Sequence, residues 1–324
     1  MVKMGRYAFA LLTAATVFAF APQARALDNV IVGTVSSGSA NTWPMAIGVK
    51  KGFFTEVGIN IDYVLAQSNA AVVQQLTGGS TNVGTSVGLV DPIRAIDKGA
   101  PLAIVRIEIQ APPYALVAKS SIKKIEDLKG KTIIIGGAKD ITRIFVESML
   151  KPHGLNPGGY DFIFAGATSA RFSALQSGAV DAAILTTPFN FYAESAGFVS
   201  LGDTIDYLKD MPFAGMVVNR TWAEANPKVV EHLLAAFTKS VLWFEDKKNR
   251  DESVQVMMEL SKLSKEDVEK AYDYLQGKHL FEPTGKTSKA KLLQVVNALR
   301  ELGDIPADFK PERLLLPGVT QVVD

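Results

Sequence analysis

Short aliphatic runs alternate with stretches of helical spacing along this chain, and the alternation is written twice. Val30-Ile31-Val32-Gly33 is a brief apolar run of the kind a buried strand requires. A small-residue loop follows, Ser36-Ser37-Gly38-Ser39-Ala40-Asn41, and the spacing then predicts one helix from Trp43 through Gly52-Phe53-Phe54. A second strand is expected around Ile61 to Leu65. Ser68-Asn69 opens a helix that closes at Leu76-Thr77-Gly78-Gly79, and a third strand ends near Thr85-Ser86. Residues 131–187 repeat this order. A strand, Thr132-Ile133-Ile134-Ile135, leads into the loop Gly137-Ala138-Lys139-Asp140 and a helix running to about Pro152. A strand around Phe162 to Phe164, a helix opening at Thr168-Ser169 and a strand from Ala182 to Leu185 complete the second copy. Both copies carry L-x-x-G-x-x-[N/D], at Leu76/Gly79/Asn82 and at Leu175/Gly178/Asp181.

Strand–helix alternation of this kind builds parallel sheets with right-handed crossovers. Two such units imply an α/β protein of two lobes. Residues 107–120 and 211–220 read as extended crossings between the lobes, a two-segment hinge with a ligand cleft beside it. The division expected is lobe 1 at 27–112 and 215–324, with lobe 2 at 113–214. From Trp222 onward the spacing is helical, with further helices opening at Ser264-Lys265 and Ser288-Lys289, and these helices are expected to pack on lobe 1. At the other end, Lys3 and Arg6 precede an apolar run from Ala8 to Ala21 and the triplet Ala24-Arg25-Ala26. That order describes a cleaved secretory signal peptide over 1–26, and hence a periplasmic protein not embedded in a membrane.

Composition narrows the chemistry. Of 34 basic residues the leader removes three and of 33 acidic residues none, so the remaining chain carries a net charge of −2. Such a balance gives no electrostatic footprint for nucleic acid. There is no cysteine, hence no disulfide, thiolate metal site, cysteine nucleophile or lipid-modified cysteine. His153, His232 and His279 have no metal-ligand spacing, and no nucleophile elbow, phosphate loop or dinucleotide fingerprint is present. The expectation is a monomeric binding protein, with no cofactor, no metal and no catalytic residue.

Ligands of open α/β sheets sit beyond the carboxyl ends of the strands, where helix N-termini offer free N–H groups. The candidates at those points are Ser37, Ser39, Asn41, Ser68, Asn69 and Ser86 in the first copy. In the second they are Lys139, Asp140, Thr142, Arg143 and Thr187. Helix capping explains Asn41, Ser68 and Asp140 equally well. Trp43 either stacks on a flat ligand or fills the core. Arg143 either clamps an anion with its planar fork or pairs with Glu147 one turn on. Asp140 favours a ligand bearing an amine or a protonated ring nitrogen.

Several longer stretches carry a family resemblance. They are Ala46-Ile47-Gly48-Val49-Lys50-Lys51-Gly52-Phe53-Phe54-Thr55-Glu56-Val57-Gly58-Ile59, Ile122 through Lys131 (IKKIEDLKGK), Ala174 through Leu185 (ALQSGAVDAAIL), and Asn226-Pro227-Lys228-Val229-Val230. With them the chain resembles the nitrate/sulfonate/taurine-type periplasmic binding proteins over nearly all of residues 28–275. Some relatives of that group bind thiamine pyrimidine precursors. The resemblance implies a type II periplasmic binding fold and, as partners, an ABC permease with its ATPase. It also places an aromatic or polar residue near the cleft after Thr187-Pro188, and Phe189 is the candidate. The function expected is capture of a small organic anion (a sulfonate, a nitrate-like ion or an aromatic carboxylate) by lobe closure. The alternatives are a thiamine pyrimidine precursor or similar heterocycle as ligand, or a ligand-sensing partner of a receptor. Fungal thiamine-pyrimidine synthases look similar but use a cysteine-rich segment that this chain lacks.

Overall fold

The structure is a computed structural model and describes residues 27–35 and 38–323. The signal peptide expected over 1–26, and Ser37 of the candidate site, lie outside the described residues.

The first copy runs β1 (Asp28–Thr34), α1 (Trp43–Lys50), α2 (Phe53–Glu56), β2 (Ile59–Leu65), α3 (Asn69–Thr77), β3 (Val83–Gly88), α4 (Val90–Asp97) and β4 (Leu102–Ile109). The chain then crosses to β5 (Tyr114–Ala118). The second copy follows as β6 (Thr132–Ile135), α5 (Ile141–Leu150), β7 (Asp161–Phe164), α6 (Thr168–Gln176), β8 (Ala182–Thr186), α7 (Phe189–Ser195), β9 (Val199–Asp203) and α8 (Ile205–Leu208). It returns through β10 (Ala214–Asn219). The rest is α9 (Arg220–Ala225), α10 (Pro227–Glu245), α11 (Arg250–Ser261), α12 (Lys265–Lys278), β11 (Thr287–Ser288), α13 (Lys289–Glu301) and β12 (Val322–Val323).

Two five-stranded sheets result, ordered β2-β1-β3-β10-β4 and β7-β6-β8-β5-β9. The orders are the same sentence. β1 pairs β2 in parallel from Asp28↔Ile59 to Thr34↔Leu65, and β6 pairs β7 in parallel from Thr132↔Asp161 to Ile135↔Phe164. In each sheet the fourth position holds the only antiparallel strand, and that strand arrives from the other lobe: β10 in the first, β5 in the second. The lobes thus exchange one strand each. The central strands β3, β5, β8 and β10, and the edge strand β4 as well, are buried along their whole length, which is why they read largely as small and aliphatic runs.

Three local readings need correction. The helix expected from Trp43 to Phe54 is two helices, because Gly52 takes the left-handed conformation (φ 74°) and stops the first. The first crossing does not begin at residue 107, because Ile107, Glu108 and Ile109 belong to β4; only residues 110–113 bridge the sheets. Finally, the C-terminal helices do not all pack on the first lobe. α10 and α11 cover α1, but α12 also lies against α7 of the second lobe. There Ser195 Oγ donates to Asp267 Oδ1 (2.8 Å), and the Phe191 and Tyr274 rings meet edge to face at 5.9 Å. No helix among the described residues is long and apolar enough to cross a membrane.

Candidate functional site

The carboxyl ends of the two sheets face one another, and their loops meet along a seam. Ala40 N–H, after β1, donates to the Thr187 carbonyl after β8 (2.8 Å). Asn69, in the first turn of α3, donates through Nδ2 to Asp140 Oδ2 at the start of α5 (3.0 Å). The loops Gln67-Ser68 and Gly166 approach so closely that a Cβ on Gly166 would overlap the Gln67 carbonyl oxygen. Each of these contacts joins one copy to the other at the ends of strands, where helices begin, and the Gln67-Ser68 and Gly166 loops are equivalent points of the repeat.

Around the Ala40–Thr187 contact lie buried polar atoms that the protein leaves unsatisfied. Asn41 Oδ1, Thr187 Oγ1 and Asn190 Oδ1 have no hydrogen-bond partner among the described residues. Buried polar groups are nearly always paired, so three unpaired atoms so close in the chain to this contact make it a candidate place for a ligand or ordered water, although other unpaired buried atoms, such as Gln75 Oε1 and Tyr160 Oη, lie elsewhere. Ser86 holds the neighbouring loop: its Oγ donates to the Asn41 carbonyl (2.6 Å), and its backbone adopts a left-handed φ of 55°. The Ser86 N–H and the Thr85 hydroxyl donate to the two oxygens of Glu108, at 2.5 and 2.8 Å. Glu108 is wholly buried, and burial pushes its pKa up to about 7, against the opposing pull of these hydrogen bonds and of Arg106.

The second lobe contributes a buried cation. Arg171, in the first turn of α6, donates from Nε to Ile184 O (2.7 Å), from Nη1 to Ala165 O and Gly166 O (2.9 and 2.6 Å), and from Nη2 to Thr168 Oγ1 (2.7 Å). These partners are carbonyls and a hydroxyl, so the guanidinium is held rigidly without its charge being neutralised there. Burial lowers its pKa, and the nearby Tyr114 and Asp140 act in the opposite direction.

The remaining candidates fall into two groups. Ser68 caps α3 through Ala71 N–H (3.2 Å), and Asp140 caps α5 through Thr142 N–H (2.9 Å) while also receiving Asn69. Ser39 is buried in the same loop as Asn41. Four others make their contacts within the protein. Trp43 is fully buried, with Nε1 donating to Ser253 O (2.7 Å) and its ring against Phe244 and Tyr272, so it presents no face to the cleft. Arg143 pairs with Glu147 one turn on (2.8 Å) and bonds Ala138 O. Lys139 is mostly exposed and its ammonium reaches Asp304 (3.4 Å). Phe189 packs with Phe172 inside the second lobe. Thr142 is also spoken for, because its hydroxyl donates to Asp140 Oδ1 (2.6 Å) and accepts from Gly136 N–H (2.8 Å). Glu108, Arg171 and Asn190 were not among the candidates read from the sequence. An acid inside the apolar run Leu102 to Ile109 was the available signal for the first. Arg171 and Asn190 sit in unremarkable helical sequence.

Residues 39–248 match the profile of the family described as NMT1/THI5 like. The chain is 25% identical over 273 residues to the taurine-binding periplasmic protein of Escherichia coli (strain K12), covering 79% of this chain and 82% of that protein. Among solved structures it superposes on the alkanesulfonate-binding protein SsuA from Xanthomonas axonopodis pv. citri bound to MOPS. That match has a TM-score of 0.71 at 17% identity and covers 93% of this chain and 100% of that one. It also superposes on the periplasmic nitrate-binding protein NrtA from Synechocystis PCC 6803, with a TM-score of 0.72 at 14% identity, over 88% and 84% of the two chains. A profile covering well over half of the chain, together with two sheets of this order facing each other across a seam, shows that the chain belongs to the NMT1/THI5-like family and has the two-lobed fold of the nitrate/sulfonate/taurine-type periplasmic binding proteins.

Proposed function

We propose that this protein is the extracytoplasmic solute-binding component of an ABC importer, that it is not an enzyme, and that it captures a small organic anion between its lobes. What locates the ligand in this reading is the group of buried, unpartnered polar atoms, Asn41 Oδ1, Thr187 Oγ1 and Asn190 Oδ1, near the seam where the lobes meet; of these only the threonine hydroxyl donates, so the anionic charge rests on the cation and helix N-termini beside them. A ligand held there touches both lobes at once, so its binding energy favours the closed form. Arg171 and the N-terminal turns of α3, α5 and α6 supply positive potential on the same side of the sheets, which suits an anionic head group. The sulfonate, taurine and nitrate ligands in the relatives' names agree with that charge. The permease and its ATPase enter as partners through the same relationship, and the periplasm as location through it and the leader-like N-terminus.

A flat heterocycle is the second reading, favoured by a different feature. Two of the three unpartnered atoms are amide oxygens, and Asp140 stands beside them, so N–H donors on a ligand would also be accommodated.

Titration calorimetry with 2-aminoethanesulfonate, an alkanesulfonate, nitrate, an aromatic carboxylate and a hydroxymethylpyrimidine separates the two. Saturable heat with an anion, and none with the pyrimidine, is the expected result. Asn190→Leu and Thr187→Val should then each lower affinity by tenfold or more, about 1.4 kcal/mol, without a matching loss of thermal stability. Arg143→Ala should leave affinity within about twofold, its Nε being engaged by Glu147 and its Nη1 by the Ala138 carbonyl. Binding of the pyrimidine alone would overturn the anion reading.

A further inference from the structure

Two helices of the C-terminal region reach both walls of the candidate site. α11 and α12 lie side by side, and each is fastened to the first lobe. Trp43 Nε1 of α1 donates to Ser253 O of α11 (2.7 Å), and Tyr272 Oη of α12 donates to Phe244 O of α10 (3.0 Å). The end of α11 backs the loop that follows β1. A Cβ on Gly38 would stand 3.0 Å from Ser261 Cα, so loop and helix meet backbone to backbone, two residues before the Ala40 N–H that reaches Thr187. α12 reaches the other wall. Ser195 Oγ of α7 donates to Asp267 Oδ1 (2.8 Å), and the Phe191 ring meets Tyr274 edge to face at 5.9 Å. In the turn between the helices, Leu263 packs against the second lobe's cluster around Phe172 and Phe189 as well as against the main core.

We propose that the α11–α12 hairpin is an arm of the first lobe that holds α7 of the second, and that Ser195 and Phe191 are positioning residues for ligand binding. The inference rests on the reading that ligand is captured between the lobes at the seam.

α7 is the link between arm and site. It begins just after Thr187-Pro188 and carries Asn190, whose Oδ1 has no partner among the described residues. Phe191 and Ser195, four residues apart, share one face of this helix, and that face is turned to α12. The acceptor on α12 is oriented in advance. Asp267 is buried, its Oδ2 receives Ser264 Oγ (2.6 Å), and its own N–H donates to the same hydroxyl (3.2 Å). The two contacts join the lobes without help from a ligand. They therefore raise the fraction of molecules in which the Ala40-Asn41 loop and the stretch from Thr187 to Asn190 already stand together. Apparent affinity scales with that fraction, whichever ligand is bound. A side chain that touches ligand changes the preference between ligands, whereas a positioning residue lowers every affinity by one factor.

Titration calorimetry with 2-aminoethanesulfonate and an alkanesulfonate reads that factor. Ser195→Ala should weaken both by the same amount, about fivefold, and Ser195→Thr, which keeps the donor, should restore them. Phe191→Ala should act in the same uniform way. The chain has no cysteine, so paired spin labels at Ser80→Cys and Ser177→Cys, one exposed position in each lobe, report the inter-lobe distance of ligand-free protein without background. The distance should lengthen or broaden in Ser195→Ala and Phe191→Ala and return to that of wild type in Ser195→Thr. The proposal is overturned if both variants keep the wild-type distance distribution, even where the unfolding midpoint falls. It is equally overturned if affinity stays at the wild-type value, or if Ser195→Ala alters the ratio between the two ligands. Wild type that binds neither probe sinks the anion reading instead, and the label distances then decide by themselves whether the arm holds α7. Gly166→Val, which places a side chain against Gln67 across the seam, is the control. If it lengthens the distance while the arm variants do not, only the arm has failed.

Discussion

Glu108 is the residue whose placement most changes the chemistry. It lies in a strand otherwise made of aliphatic side chains and one arginine, and it is buried beneath the helices that cover the first sheet. Its folded pKa, about 7, stands above its ordinary value of 4.5, so folding favours the protonated form. That stability is fully present below about pH 4.5 and is lost progressively as pH rises to about 7. Urea unfolding of wild type and Glu108→Gln across this range should show a steeper decline in the wild type, with a difference on the order of 3 kcal/mol between the two ends. Parallel profiles would mean that Glu108 stays ionised. The sequence displayed this acid but not its burial, because an isolated carboxylate between Ile107 and Ile109 reads as well at a strand end as in the middle of a sheet. Trp43 shows the same ambiguity in reverse. At the first turn of an amphipathic helix a tryptophan fits a ligand platform or a core equally well, and only the arrival of Ser253, Phe244 and Tyr272 from more than 200 residues away decides for the core.

Among the elements, what the pattern predicted best was what depends on near neighbours. Both copies of the strand–helix–strand–helix–strand unit stand where the apolar runs put them, and several foreseen caps form, though not Asn41 or Thr168: the N-cap positions of α1 and α6 are Thr42 and Ala167. Ser68 receives Ala71 N–H, Ser264 receives Asp267 N–H, and Ser288 receives Lys291 N–H. The Ser264 cap has a further consequence, because Asp267 in the same turn also accepts from Ser195 of the second lobe. Ser264→Ala should cost about 1 kcal/mol in denaturant unfolding, the usual loss of a helix N-cap. An unchanged midpoint would show that the turn holds without it. The break at Gly52 was hidden because Gly-Phe-Phe continues a helical apolar period, and spacing alone does not report a left-handed backbone. That α12 straddles both lobes was likewise hidden, since an amphipathic stripe announces that a face is covered but not by what.

For the molecule as a whole, the exchange of strands matters most. Each sheet borrows its antiparallel strand from the chain arriving from the other, so the two crossings tie the lobes together while leaving the opposed loops free to approach. The approach is closest at Gly166, whose backbone is not in a left-handed conformation, so a side chain there is resisted by the opposite lobe rather than by its own geometry. Gly166→Val should therefore reduce ligand affinity by roughly a hundredfold. It should leave the unfolding midpoint near wild type and abolish ligand-induced compaction in small-angle scattering. Wild-type affinity in this variant would mean that ligand binds without the seam closing. By itself the sequence determined the duplicated α/β plan, the strand and helix order and the absence of cysteine chemistry, because period, capping and composition act over a few residues at a time. Only the tertiary structure decided which polar groups are left unpaired, that Arg171 is buried among backbone carbonyls beside the Gly166 loop, and that Trp43 is enclosed by Phe244, Tyr272 and Ser253. Those outcomes depend on burial and on charges brought together from distant parts of the chain, and no local pattern encodes either.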